Sequence, residues 1–113
     1  MSGITWGLGL RAQHFADWHA AEHVPVLELM TDNLIHHKGG PALWHSKKIS
    51  CRAESTLLHG IGLNIGGVTP LSERYLVGLR DLCNHFNPKI VSDHLCFTQA
   101  LGCLLYTSDA ADE

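Results

Sequence analysis

Four short apolar runs, each closed by small or polar residues and separated by stretches of helical character, constrain this chain more than any other feature of its sequence. Residues 4–10 form the first run, interrupted by Gly7 and Gly9. Pro25 opens the second, Val26-Leu27-Glu28-Leu29-Met30, which meets the turn-formers Thr31-Asp32-Asn33. Leu57 and Leu58 make the centre of a third, ending at His59-Gly60, and Ile90-Val91 a fourth, closed by Ser92-Asp93-His94. Between them, residues 11–22 carry a weak helical pattern without a clean period. Residues 33–40 read as a loop, and Pro41 suits the first position of a helix running towards Ala53. The clearest helix has Thr69 as cap and Pro70 at its first position. Leu71, Tyr75, Leu76, Leu79, Leu82, Cys83 and Phe86 then recur at three- and four-residue steps until Asn87-Pro88 stops them.

Strands alternating with helices at this spacing imply βαβ crossovers and a parallel sheet. The polar residues then acquire a common place. Asp32 and Asn33 follow the second strand, His59 the third, and Asp93 and His94 the fourth. In a (β/α)8 barrel the carboxyl ends of the strands form one face, and that face carries the active site. The fold class expected is therefore α/β, the N-terminal part of a (β/α)8 TIM barrel with about four strands and three helices. Closure takes eight strands and roughly 250 residues, whereas this chain has 113. Alone, it is expected to be an incomplete and inactive portion.

Composition removes several function classes. At 45% apolar residues and a mean hydropathy of +0.03 the chain is neither a disordered tail nor a membrane protein. No window approaches the ~18 apolar residues of a spanning helix. The first residues lack the basic and apolar regions of a secretory signal. A net charge of −3 without a basic stripe argues against nucleic acid as a partner. Cys51, Cys83, Cys96 and Cys103 show no C-x-x-C spacing, so reduced thiols in a cytoplasm are expected. Residues 103–113 break the pattern, and their reverse translation admits a transposase-end sequencing adapter. The domain is accordingly expected to occupy residues 1–102, with 103–113 a translated adapter. A genomic copy encoding those eleven residues would overturn this.

Four segments resemble a known family. Gly7-Leu8-Gly9-Leu10-Arg11 followed by His14-Phe15 resembles its G-x-G-L-R opening. Leu27-Glu28-Leu29-Met30-Thr31-Asp32-Asn33 is similar to its E-x-x-x-E-N strand end, with Asp32 where the family carries glutamate. The segment from Leu58-His59-Gly60 to Gly66 matches L-H-G-x-x-L-x-x-G, and Val91-Ser92-Asp93-His94-Leu95-Cys96-Phe97 matches V-S-D-H-L-x-aromatic. The family is the multinuclear non-heme iron-dependent oxidative enzymes, typified by the methanobactin biosynthesis oxidase. The resemblance implies a xylose-isomerase-like barrel with two or three irons at its strand ends. It also implies oxygen-dependent modification of cysteines in a ribosomally synthesised peptide, with a separate partner protein that captures the leader.

Nine histidines are present, and two carry the chemistry. His59 and His94 follow apolar strands at matching positions, where the resemblance implies iron ligands; imidazole suits iron. A core histidine bonded to backbone is the bland alternative. Asp93 fits an acceptor that orients an imidazole, or a turn-former. Asp32 and Asn33 fit groups bonding the site, or an Asx turn. Glu28, in a strand expected to be buried, needs a partner and fits a barrel-interior ion pair or a functional role. His36, His37 and His45 read as solvated. His19 and His23, at i and i+4, have nothing else converging on them, and Gly60, Gly62, Gly66 and Gly67 lack the Lys-Ser/Thr of a phosphate loop. Two alternatives stay open: a zinc, magnesium or manganese barrel for hydrolysis or sugar isomerisation, and a non-catalytic truncated piece.

Overall fold

A computed structural model describes residues 3–36, 39–100 and 103–104. Four parallel strands, β1 (Gly7–Gly9), β2 (Val26–Met30), β3 (Thr56–Gly60) and β4 (Ile90–Asp93), form one sheet in the order β1-β2-β3-β4. Because order in space follows order in sequence, each crossover returns to the adjacent position. A doubly wound sheet instead reverses at a switch point, so the architecture is singly wound, as in the first half of a (β/α)8 barrel. The connections are α1 (Phe15–Ala20), the short α2 (Thr31–Leu34), α3 (Pro41–Ser50) and α4 (Glu73–Phe86). A two-residue antiparallel pair, β5 (Gln99–Ala100) with β6 (Cys103–Leu104), follows. Leu101, Gly102 and 105–113 of the segment expected to be adapter-derived lie outside the described residues, as does His37.

The strands alternate as half-buried ribbons must. In β2, Leu27 and Leu29 are buried while Val26, Glu28 and Met30 are half-buried. In β3, Thr56, Leu58 and Gly60 are buried while Leu57 and His59 are half-buried. Leu27, Leu29 and Leu58 turn towards the helices and pack with Ile49, Leu82 and Phe86. Each such leucine contributes on the order of 2 kcal/mol by burial. The register Met30↔His59↔Ser92 and Glu28↔Leu57↔Ile90 sets the other side chains on the opposite, inner face. The sheet has two open edges: Leu8 of β1 is 57% exposed and Ile90 of β4 is 55% exposed. Those are the positions at which a closed barrel adds neighbouring strands.

Helix boundaries follow local chemistry. Pro41 begins α3, as its fixed φ favours. α4 begins three residues later than the Thr69-Pro70 pair suggests, because the Ser72 hydroxyl caps it by accepting from Tyr75 N at 3.2 Å. It ends at Asn87, left-handed at φ 50, whose N–H donates to Cys83 O at 2.8 Å. The Arg52 guanidinium donates to the Trp18 and Ala21 carbonyls and ties down the end of α1. Lys47 Nζ does the same for His85 O beside the Phe86 ring.

The free thiols differ in setting. Cys51 is exposed, whereas Cys83 packs against the core and burial pushes its thiol above the ordinary range. At pH 7.5, iodoacetamide is therefore expected to modify Cys51 at least about tenfold faster than Cys83, since the thiolate is the nucleophile. Peptide mapping over time reads the two rates, and equal rates would refute the assignment.

Candidate functional site at the strand ends

His59 and His94 meet. Their ring centroids lie 4.8 Å apart with planes inclined by 53°. His59 points to the inner face from the penultimate position of β3. His94 follows β4, where strand alternation carries it to the side opposite Asp93.

Each imidazole is anchored through Nδ1. His94 Nδ1 lies 3.1 Å from Gly60 O, which only accepts, so the proton sits on Nδ1. Gly60 O also accepts from His94 N at 3.1 Å. His59 Nδ1 lies 2.8 Å from Ser92 Oγ, whose hydroxyl donates to Leu58 O at 3.5 Å. Ser92 Oγ thus anchors the His59 ring at Nδ1. Both imidazoles are held through Nδ1, which leaves Nε2 as the nitrogen that could face a metal, and a metal-binding histidine has its other ring nitrogen fixed by an outer partner in this way. Imidazole nitrogens suit iron, zinc or copper. As a metal site the pair is incomplete: among the described residues no group of three His, Cys, Asp or Glu side chains forms one.

The other candidates occupy different places. Asp93 pairs with Gly60 in the ladder and turns to the helix side, where a Cβ on Gly60 would lie 2.8 Å from Asp93 Oδ2 and 3.0 Å from Tyr75 Oη. Its Oδ1 is buried without a hydrogen-bond partner among the described residues. Burial pushes this carboxyl above the ordinary range and the Asp32 charge adds to that. Bonds from the His94 and Leu63 N–H groups and the nearness of His59 pull it down. Asp93 is therefore behind the sheet and beside, not between, the two imidazoles.

Asp32 is not the Asx turn its neighbours suggest. It lies in the first turn of α2, and its carboxylate accepts from Ile61 N at 2.7 Å, Gly62 N at 3.0 Å and Tyr75 Oη at 2.9 Å. It clamps the loop that follows His59 to α4. Asn33 is exposed and lines a cavity of about 420 Å³ with Leu10, Arg11 and Met30, at the carboxyl ends of β1 and β2. Glu28 shares the inner face with His59, one pair further into the sheet.

Two histidine expectations change. His45 is half-buried rather than solvated: it stacks on Phe15 at 5.2 Å and shares a 2.9 Å hydrogen bond with His19. α1 ends at Ala20, so His19 and His23 do not share a helix face, and His23 faces Glu54 at 3.4 Å. Sequence reasoning missed Ser92 and Asn64. Ser92 was detectable, since position 92 of β4 stands opposite His59 once a parallel register is assumed.

Residues 5–108 match the family described as RiPP precursor modification enzyme MbnB/TglH/ChrH, RiPP denoting a ribosomally synthesised, modified peptide. A UPF0276 protein of Anaeromyxobacter sp. (strain Fw109-5) is 44% identical over 93 residues, covering 80% of this chain and 32% of that protein. One from Acaryochloris marina is 38% identical over 99 residues, 85% of this chain and 34% of that protein. One from Rhizorhabdus wittichii is 31% identical over 125 residues, 99% of this chain and 43% of that protein. The chain thus spans about a third to two fifths of the length of these relatives. With four parallel strands wound in sequence and a match running over almost the whole chain, this protein belongs to the MbnB/TglH/ChrH family of RiPP precursor modification enzymes.

Proposed function

We propose that the full-length barrel carrying this segment is an iron-dependent oxidase of xylose-isomerase-like fold that modifies cysteines of a ribosomally synthesised peptide with oxygen. The observation that supports it is the imidazole pair: His59 and His94, with ring centroids 4.8 Å apart and each anchored through Nδ1. Iron held there with ligands from the rest of the barrel supplies oxygen activation beside a bound thiolate. This segment contributes two of the nitrogen donors, orients both rings through Nδ1 and walls one side of the site. Two or three irons fit the family resemblance, and the segment alone, with an incomplete donor set, does not turn over. The partners are a cysteine-containing precursor peptide and a separate leader-binding protein, in the cytoplasm. No helix among the described residues is long and apolar enough to cross a membrane.

The test is iron content and peptide-dependent oxygen consumption in the full-length protein. His59→Ala and His94→Ala are each expected to lower iron affinity by more than about tenfold, the scale already reached by losing an outer contact of a ligand. Exposed His36→Ala serves as the control. Unchanged iron and oxygen consumption in both variants would rule the assignment out. Zinc, magnesium or manganese as the working metal, without oxygen consumption, would transfer the site to hydrolysis or isomerisation.

A further inference from the structure

The segments that follow β3 and β4 remain joined beyond the end of the sheet. After His94 N donates to Gly60 O, Gly66 N donates to Cys96 O at 2.7 Å, and Thr98 N donates to Asn64 Oδ1 at 2.7 Å. The last bond comes from a side chain in an unusual setting. Asn64 is buried, only 6% exposed, and left-handed at φ 63. Its Nδ2 donates to Thr69 Oγ1 at 3.2 Å, and its carbonyl accepts from Gly67 N at 3.1 Å. A Cβ on Gly67 would run into the Asn64 amide, and one on Gly66 would come within 2.9 Å of the Cys96 backbone. The loop is thus shaped around one amide whose oxygen holds the segment behind His94 and whose nitrogen holds the loop behind His59.

A buried amide needs its bonds made, and left-handed backbone at a residue other than glycine costs on the order of 1 kcal/mol. Asparagine tolerates that conformation and supplies both a donor and an acceptor. Leucine supplies neither bond, and serine has one hydroxyl on a shorter side chain for two partners. We propose that Asn64 is a positioning residue: by tying the two loops together it holds His59 and His94 at the separation a shared ion requires. The proposal rests on the reading of His59 and His94 as metal ligands.

Asn64→Gly separates side chain from backbone, because glycine adopts the left-handed conformation freely but removes both amide bonds. Asn64→Asp keeps the acceptor for Thr98 N and offers a second oxygen to the Thr69 hydroxyl, which can turn and donate, so both ties remain. Both variants, with His59→Ala and His94→Ala, are compared in the full-length protein by anaerobic Fe²⁺ titration and by amide hydrogen exchange. In Asn64→Gly, exchange across residues 94–98 is expected to accelerate at least about tenfold while β2 is unchanged. Its Fe²⁺ dissociation constant rises about tenfold, as for loss of an outer contact, and Asn64→Asp stays within about twofold of wild type. Exchange in 94–98 that does not change, or Fe²⁺ affinity that does not change despite faster exchange, overturns the proposal while the ligand reading stands. An Asn64→Asp loss equal to that of Asn64→Gly also overturns it, and this arm decides if faster exchange in β2 shows that glycine has unfolded the barrel. Undiminished Fe²⁺ affinity in His59→Ala and His94→Ala instead removes the ligand reading, and the positioning role with it.

Discussion

Asp32→Ala is expected to lower the stability of the full-length barrel by about 3 kcal/mol, since hydrogen bonds to charged groups contribute about 1.5–3 kcal/mol each and the carboxylate is half-buried. It accepts from two consecutive backbone N–H groups, at Ile61 and Gly62, and from the Tyr75 hydroxyl. Alanine leaves all three donors without that acceptor. Asp32→Asn should fall between, because its amide oxygen can still accept from Gly62 N and Tyr75 Oη while its NH2 opposes Ile61 N, donor against donor. Tyr75→Phe removes only one of the three bonds and should cost about 1 kcal/mol. Urea unfolding at constant m-value reads these differences. An Asp32→Ala protein within 0.5 kcal/mol of wild type, about the scatter of neutral surface changes, would show that the clamp holds nothing.

Gly60→Ala should damage fold and site together. A Cβ there would lie 2.8 Å from Asp93 Oδ2, 3.0 Å from Tyr75 Oη and 3.1 Å from Thr31 Cβ. Overpacking of this kind costs about 1–3 kcal/mol. The carbonyl of the same residue accepts both His94 N and His94 Nδ1. Any shift of residue 60 therefore rotates an imidazole, and the Fe²⁺ dissociation constant should rise about tenfold. Gly9→Ala is the control, with nothing within 4 Å of its Cβ position. Its stability is expected to stay within about 0.5 kcal/mol of wild type. A Gly60→Ala protein that matches Gly9→Ala in melting temperature and iron affinity would sink this account.

Much of the fold was legible in the sequence. β2, β3 and β4 lie where their apolar runs predict, because a fully or half-buried parallel strand needs a local excess of Val, Ile and Leu. Position along a strand was legible too: residues at strand ends share one face of a parallel sheet, which places His59 and His94 together. The first run was less legible, since only Gly7–Gly9 pair and the flanking Ile4 and Trp6 remain exposed. The start of α4 was misplaced because Thr69-Pro70 and Ser72 both offer start signals, and only the tertiary setting of Tyr75 favours Ser72.

The side of the sheet on which each polar residue works was the harder matter. Asp93 and His94 are adjacent in sequence and read as one polar group, yet they face opposite sides because strand side chains alternate with a period of two. Asp32 reads as a turn-former, and its partners at positions 61, 62 and 75 are visible only when the chain is folded.

The sequence by itself determined that this protein is a singly wound βα array with imidazoles at its strand ends, since those properties follow from local apolar content and spacing. Only the tertiary structure decided which nitrogen of each imidazole is anchored and which carboxylates serve the scaffold. It also decided that one buried asparagine joins the two loops. Each of these depends on hydrogen bonds between segments some 30 residues apart, such as Thr98 to Asn64 and Gly62 to Asp32. Local pattern carries no record of such pairings, because the free energy of a directional bond is set by where the fold brings donor and acceptor.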